Sequence, residues 1–227
     1  MGAADKEYII KKTILSVFLD IIYESFMPHV CLFCKKPMEQ DSFVCNICEG
    51  ELVYASKAQN LTYISKIYAA FTYSEFSRLP IFRLKYAGKT MLAKPLAKII
   101  SSEIEFIEVD IIVPVPLHVN RLKERGYNQA ALIACELSLL LNIPAYDIIM
   151  RIKDTEKQFN LQTNQKWSNV EGAFNLKVGV DIKDKTILIV DDILTTGATI
   201  FQCASLLVES GAKNIYVAVF ACGNINL

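Results

Sequence analysis

Four consecutive apolar β-formers, Ile187 to Val190, run directly into two acids and a threonine-rich turn, and this segment constrains the fold more than any other. A strand that is apolar at every position is covered on both faces, as at the centre of a parallel sheet. Beyond Gly197 the chain carries Phe201, Ala204, Leu207 and Val208 at helical spacing, an apolar stripe fit to pack on that sheet. Strand and helix patterns alternate from residue 66 onward, which argues for an α/β fold with a mostly parallel sheet flanked by helices. The expected order is strand 66–73, helices 76–86 and 91–104, strand 109–115 and helix 127–141. A strand near 146–151, strand 186–190, helix 197–210 and strand 213–220 complete it.

Ligands of open α/β sheets bind beyond the carboxyl ends of the strands. Asp191 and Asp192 stand where strand 186–190 is expected to end. Carboxylates are strong acceptors, so vicinal sugar hydroxyls suit them. Two adjacent negative charges repel, and a bound cation relieves that repulsion. Magnesium is the expected ion, because it keeps its waters and binds through few carboxylates plus substrate phosphates. Thr195, Thr196, Gly197 and Thr199 then surround a helix start, whose unpaired amides and dipole attract a phosphate. An ordinary capped βα turn needs only one acid or threonine. Two acids plus this turn point instead to a sugar that carries a phosphate.

Near the amino end, Cys31, Cys34, Cys45 and Cys48 form a C-x2-C, ten-residue, C-x2-C pattern. Two such knuckles suit a tetrahedral structural Zn²⁺ with no open position for a catalytic water. Paired disulfides or a redox dithiol are the competing readings. Residues 9–27 read as an amphipathic helix, not a membrane span or signal peptide, so a reducing, cytoplasmic location is expected and disulfides are disfavoured. Cys135, Cys203 and Cys222 sit in apolar contexts and read as buried small hydrophobes.

The run Val109–Val115 ends in two prolines and leads to a loop bearing Arg121, Lys123 and Arg125. Arginine forks match phosphate oxygens, so Arg121 and Arg125 are candidates for a pyrophosphate if this strand lies in the same sheet as Asp191 and Asp192. A solvated basic loop is the bland reading. His118 reads as an ordinary surface histidine. Residues 153–171 are polar, which fits either a lid or a plain loop.

Residues 187–199 resemble the phosphoribosyl pyrophosphate (PRPP) signature of type I phosphoribosyltransferases. In that family the two acids hold the ribose 2′- and 3′-hydroxyls and the loop holds the 5′-phosphate, which implies these roles for Asp191, Asp192 and Thr195 to Thr199. Together with Val113–Ala130 and the four cysteines, the chain resembles the ComF family of competence-associated proteins. Leu84, Lys85, Tyr86 and Gly88 are similar to that family's Lys-Tyr helix end, which makes Lys85 a further candidate. Thr155, Gln158, Asn169, Gly172 and Phe174 resemble its hood segment. At Lys166 the family usually carries arginine, so a phosphate clamp there loses its bidentate fork. The resemblance implies a part in DNA uptake, with single-stranded DNA and a helicase-like competence ATPase as partners. The expected organisation is an amphipathic helix over 1–28, a zinc ribbon over 29–60 and a phosphoribosyltransferase-like domain over 61–227.

Of the 227 residues, 24 are basic and 24 acidic, for a net charge of zero, which argues against a strongly basic nucleic-acid binder. Locally, Arg78, Arg83, Lys85, Lys89, Lys94 and Lys98 form an acid-free stretch with Phe82 and Tyr86 interleaved. It can track a phosphate backbone or simply lie as a basic helix face over apolar neighbours. Two functions therefore stand side by side. One is an enzyme in which a nucleophile attacks the ribose C1 of PRPP and expels pyrophosphate, with Asp191 and Asp192 positioning the sugar. The other is a non-catalytic DNA-binding or helicase-adaptor protein that keeps the fold. No residue stands out as a general base, and the acceptor leaves no signature.

Overall fold

The computed structural model describes residues 29–38, 42–55, 58–105, 108–153 and 172–223. The expected helix over 9–27, most of the hood segment and Lys166 lie outside them. In chain order the elements are α1 (Asn46–Gly50), β1 (Ala58–Leu61), β2 (Ile64–Thr72), α2 (Leu79–Tyr86) and a 3-10 turn at Thr90–Leu92. Then come α3 (Ala93–Glu103), β3 (Ile111–Pro114), α4 (Val119–Arg125), α5 (Gln129–Leu141) and β4 (Ile149–Arg151). The last are β5 (Phe174–Leu176), β6 (Thr186–Leu194), α6 (Ala198–Glu209) and β7 (Asn214–Cys222).

Five strands make one sheet in the order β1-β2-β7-β6-β3. The last four are mutually parallel, and β1 joins the edge antiparallel to β2. The run Ile187–Val190 lies between β7 and β3 with no exposed surface, as an all-apolar strand requires. Its side chains alternate between two layers. Ile187 and Ile189 pack with Cys203, Ala204 and Leu207 of α6. Leu188 and Val190 pack with Leu96 and Ile100 of α3 and Ile133 and Leu137 of α5. Each such buried aliphatic contributes roughly 1.5–3 kcal/mol. The result is the helix–sheet–helix sandwich expected from the sequence. A separate antiparallel pair, β4 with β5, packs under the α6 layer.

The structure moves several boundaries. β6 continues to Leu194, four residues beyond Val190, because its pairing with β7 runs on to Leu194 opposite Cys222. Acids are poor strand formers, so the sequence pattern stops the strand too early. Asp191 and Asp192 therefore lie within β6, and the pleat turns them to opposite faces. The helix expected over 127–141 is α5, starting at Gln129, and a further short helix, α4, fills the segment before it that reads as a loop. Gly126, at φ 83°, ends α4, and the Asn128 side chain starts α5 by accepting the Ala130 N–H at 3.0 Å. Arg121, Lys123 and Arg125 thus ride on a helix rather than a loop. The helix expected from residue 76 begins at Leu79, after a turn in which the Ser77 hydroxyl donates to Thr72 O at 2.9 Å. The one expected over 91–104 opens as a 3-10 turn before α3.

Among the described residues no helix is long and apolar enough to cross a membrane. Cys135, Cys203 and Cys222 are buried. The first cysteine turn is not a free appendage: Leu32 and Phe33 share a core with the α3 and α5 layer. The Phe33 ring stacks on Phe76 at 5.0 Å and meets Phe220 of β7 at 6.4 Å.

Candidate functional site

A cleft of about 900 Å³ opens beyond the carboxyl ends of β3 and β6, and all nine candidates for ligand binding line it. Lys85 comes from the end of α2, Arg121 and Arg125 from α4, and the rest from β6 and the start of α6. Parallel pairing of β3 with β6 brings these segments together, Pro114 opposite Val190.

The two acids differ in setting. Asp192 is only 2% exposed, and its Oδ1 accepts from Lys85 Nζ at 2.8 Å. Its Oδ2 is buried without a hydrogen-bond partner among the described residues. A buried carboxylate oxygen left unmatched costs roughly 1–3 kcal/mol, so this atom is poised for an incoming donor. Asp191 is half-buried, and its Oδ1 accepts the Asp192 N–H at 2.8 Å. Burial and the neighbouring Asp192 charge push its carboxyl up to about 7, against the opposing pull of Lys85, the Asp192 amide and Arg151. For Lys85, burial works to lower the pKa, but Asp192 prevails and holds the ammonium above its ordinary range.

At the other end of the cleft Gly197 caps α6 with φ 81°, a backbone shape that glycine adopts without strain. As the N-cap residue, Gly197 has no side chain to offer the first amides of α6, which a helix start leaves without intrahelical partners. Thr195 is exposed, while Thr196 and Thr199 are half-buried. The end of β7 braces the turn: the Gly223 N–H donates to Leu194 O at 2.7 Å. A Cβ at Gly223 would sit 3.2 Å from Thr195 O, a contact tight enough that the turn would have to give by a few tenths of an ångström.

Arg121 and Arg125 are one turn apart on α4 and share a face. The Arg125 guanidinium lies over the Tyr86 ring at 5.5 Å and donates to Gln129 Oε1. His118 serves as the N-cap of α4, accepting the Asn120 N–H at 3.3 Å. Two contacts fix the surroundings: Asn128 Nδ2 donates to Val115 O at 2.9 Å, and the Tyr127 hydroxyl donates to Leu84 O.

The sequence reading missed Tyr73, Arg151 and Gly223 as cleft residues. Arg151 reaches the site from β4, a strand whose place depends on pairing with β5 across a long intervening segment. Nothing local marks it. Gly223 comes just after the last strand, where a lone glycine reads as a stop.

The acid-free stretch 76–98 is not one basic surface. Lys85 turns into the cleft, Lys98 lies over the Phe43 ring at 5.3 Å, and Arg78 pairs with Glu75. Arg83 donates to the carbonyls of Leu32 and Phe33 in the first cysteine turn, at 2.8 Å for Phe33.

The four cysteines do converge. Their sulfurs all lie within 4.8 Å of one another, with Cys34 and Cys45 at 3.7 Å. Tetrahedral zinc with Zn–S near 2.3 Å places its sulfurs about 3.8 Å apart, so the cluster fits the ion with little adjustment. Burial acts to raise the Cys31 thiol, but amide N–H groups of Cys34, Cys45 and Phe33 outweigh it and bring it down to about 6. Cys48 is pushed up to about 12, by burial first and then by the neighbouring sulfurs. A thiolate beside crowded thiols is the electrostatic signature of a site that a cation would complete.

The phosphoribosyl transferase domain family matches residues 91–225, more than half of the chain, and the chain belongs to that family. Three curated relatives extend the likeness toward the amino end. Competence protein F of Haemophilus influenzae is 29% identical, over 83% of this chain and 88% of that one. Competence protein ComFC of Bacillus subtilis is 27% identical, over 81% and 73%. DNA utilization protein YhgH of Salmonella typhimurium is 29% identical, over 83% and 82%. The resemblance to the ComF family drawn from the sequence is borne out by these relatives.

Proposed function

We propose that this chain binds PRPP with Mg²⁺ in the cleft. One observation carries the reading: Asp191 and Asp192 lie in the last half of β6, a few residues before the glycine-capped start of α6, and both segments line one cleft. The buried, unmatched Oδ2 of Asp192 suits a ribose hydroxyl donor. The α6 start, with Thr195, Thr196 and Thr199, suits the 5′-phosphate. Arg121, Arg125 and Lys85 suit the pyrophosphate and the charge that develops on it as the C1–O bond breaks. Asp191 and Asp192 would favour a bound Mg²⁺, which would supply positive charge to neutralise the acids and the leaving pyrophosphate. If turnover occurs, it rests on positioning and charge neutralisation rather than on a proton-transfer group of the chain.

The relatives' names, competence and DNA utilization, support a role in DNA uptake. In that role the protein works in a reducing cytoplasm, with its zinc knuckle intact, beside single-stranded DNA and a helicase-like competence ATPase. The division into a ribbon over 29–60 and a transferase-like domain over 61–227 belongs to the same reading.

Calorimetry tests the ligand directly. Mg²⁺-dependent PRPP binding is expected, and Asp191→Ala with Asp192→Ala is expected to abolish it. Unchanged affinity in that double variant would remove the site from these residues. Binding of single strands is expected to weaken steeply with salt. Salt-independent binding would argue against a phosphate-tracking surface.

A further inference from the structure

The first cysteine turn and the cleft are connected through a single stretch of helix. The carbonyls of Leu32 and Phe33 belong to residues only 5% and 2% exposed, and buried carbonyls need donors. One side chain supplies both: Arg83 Nη2 reaches Phe33 O at 2.8 Å and Nη1 reaches Leu32 O. A planar guanidinium fork grips two neighbouring acceptors in a way an ammonium does not. Arg83 sits on α2, and two residues further along Lys85 meets Asp192 at 2.8 Å. Between them Leu84 is fully buried, and its carbonyl accepts from Tyr127. Three consecutive residues of one helix thus touch the cysteine turn, the approach to α5 and the acid of the cleft.

We propose that Arg83 is a positioning residue that lets Lys85 reach Asp192 only while the Cys31–Cys34 turn keeps its metal-bound shape, so that the state of the cysteine knuckle sets the cationic end of the cleft. The four sulfurs fit zinc, and the turn that presents Cys31 and Cys34 is the same turn that presents the two carbonyls to Arg83. Loss of the ion would free that turn and release the fork, leaving the end of α2 held by Leu84 in the core, by Tyr127 and by Arg125 over Tyr86, with nothing tying it to the cysteine turn's carbonyls. Phe33 keeps the turn seated on the sheet through its ring contacts, but ring packing fixes place more than orientation. The link is reciprocal, as any coupling between two sites is: what tightens Lys85 on Asp192 also steadies the knuckle. The consequence for PRPP rests on the ligand reading above, whereas the Lys85 consequence does not.

Competitive acylation of the full chain with acetic anhydride, read by peptide mass spectrometry, tests it. The exposed Lys89 on the same segment is the internal reference, and Asp192→Asn gives the signal of a released Lys85. The ratio of Lys85 to Lys89 modification is expected to rise about fivefold when a chelator strips the zinc, and to return on reloading. Zinc-loaded Arg83→Met is expected to show the same rise, and Arg83→Lys a smaller one. A ratio that stays low on stripping and in Arg83→Met, while Asp192→Asn raises it, overturns the proposal. If Arg83→Met does not fold, stripping and reloading of the native chain decides. If stripping unfolds the chain, the zinc-loaded Arg83→Lys protein decides, and an unchanged ratio there counts against the proposal. A parallel titration with Mg²⁺-PRPP is expected to show about fivefold weaker binding to Arg83→Met. A native chain that binds no PRPP would refute the ligand reading alone, since the acylation ratio still tests Arg83.

Discussion

Lys85 Nζ and Asp192 Oδ1 lie 2.8 Å apart although 107 positions separate them in the chain. Asp192 is almost wholly buried and Lys85 largely so, with side chains 3% and 22% exposed. Removing one partner of such a pair strands a buried charge, which is far costlier than removing both. Lys85→Met is therefore expected to destabilise the chain by about 2–4 kcal/mol, and Lys85→Met with Asp192→Asn to recover most of that loss. Denaturant titrations of the two single variants and the double variant measure the difference.

Asp191 gives the chain a pH-dependent stability. Its carboxyl titrates near 7 in the folded state against an ordinary value near 4, so between those values the folded chain holds more protons there than the unfolded chain. This group's contribution to stability therefore falls as pH rises toward about 7 and stays low above it. Asp191→Asn is expected to remove that slope and to raise stability at pH 8 by about 1–3 kcal/mol, with solvent contact at the cleft keeping the figure modest. Denaturation midpoints of zinc-loaded protein from pH 5.5 to 8 check it. A parallel native and variant slope would contradict the assignment.

Gly223 is a steric test of the phosphate end. Gly223→Ala places a methyl group 3.2 Å from Thr195 O, and the turn must give way. A cost of about 1–2 kcal/mol in stability is expected, because the neighbouring atoms are backbone and cannot swing aside. A displaced turn also misaims the α6 amides, so PRPP affinity is expected to fall by roughly tenfold, in line with the cost of small misplacements at a positioned site. Thermal melts and calorimetry on the same preparation separate the two effects.

The cysteine cluster predicts stoichiometry as well as stability. Elemental analysis of the purified chain is expected to give about one zinc per molecule. Stripping it is expected to lower the melting temperature by on the order of 10 °C, since ion binding to the folded state alone is linked to folding. Zinc-free protein with an unchanged melt would assign the four sulfurs to packing only.

The sheet and its central strand were legible because Ile187–Val190 has only one comfortable home, between two other strands. The acids and the threonine turn were legible because their chemistry is local. The end of β6 was not, since propensity stops a strand at Asp191 while continued pairing with β7 carries it to Leu194. Helix α4 was not legible, since the charged run Arg121–Arg125 before Gly126 reads as a loop and carries no apolar stripe to mark a helix. Arg151 and the grip of Arg83 on the cysteine turn could not be read at all. Both depend on contacts between segments far apart in sequence, and no spacing rule encodes them.

The pleat of β6 has one last implication. Neighbours along the chain, Asp191 and Asp192 are mounted on opposite slabs of the molecule, the first toward Cys203 and Arg151, the second toward Lys85. They are two grips with different nearest neighbours, coupled through the charge each places on the other. Repacking around α6 would reach one hand of the clasp first, and the other, anchored through α2, would feel it through charge rather than through contact.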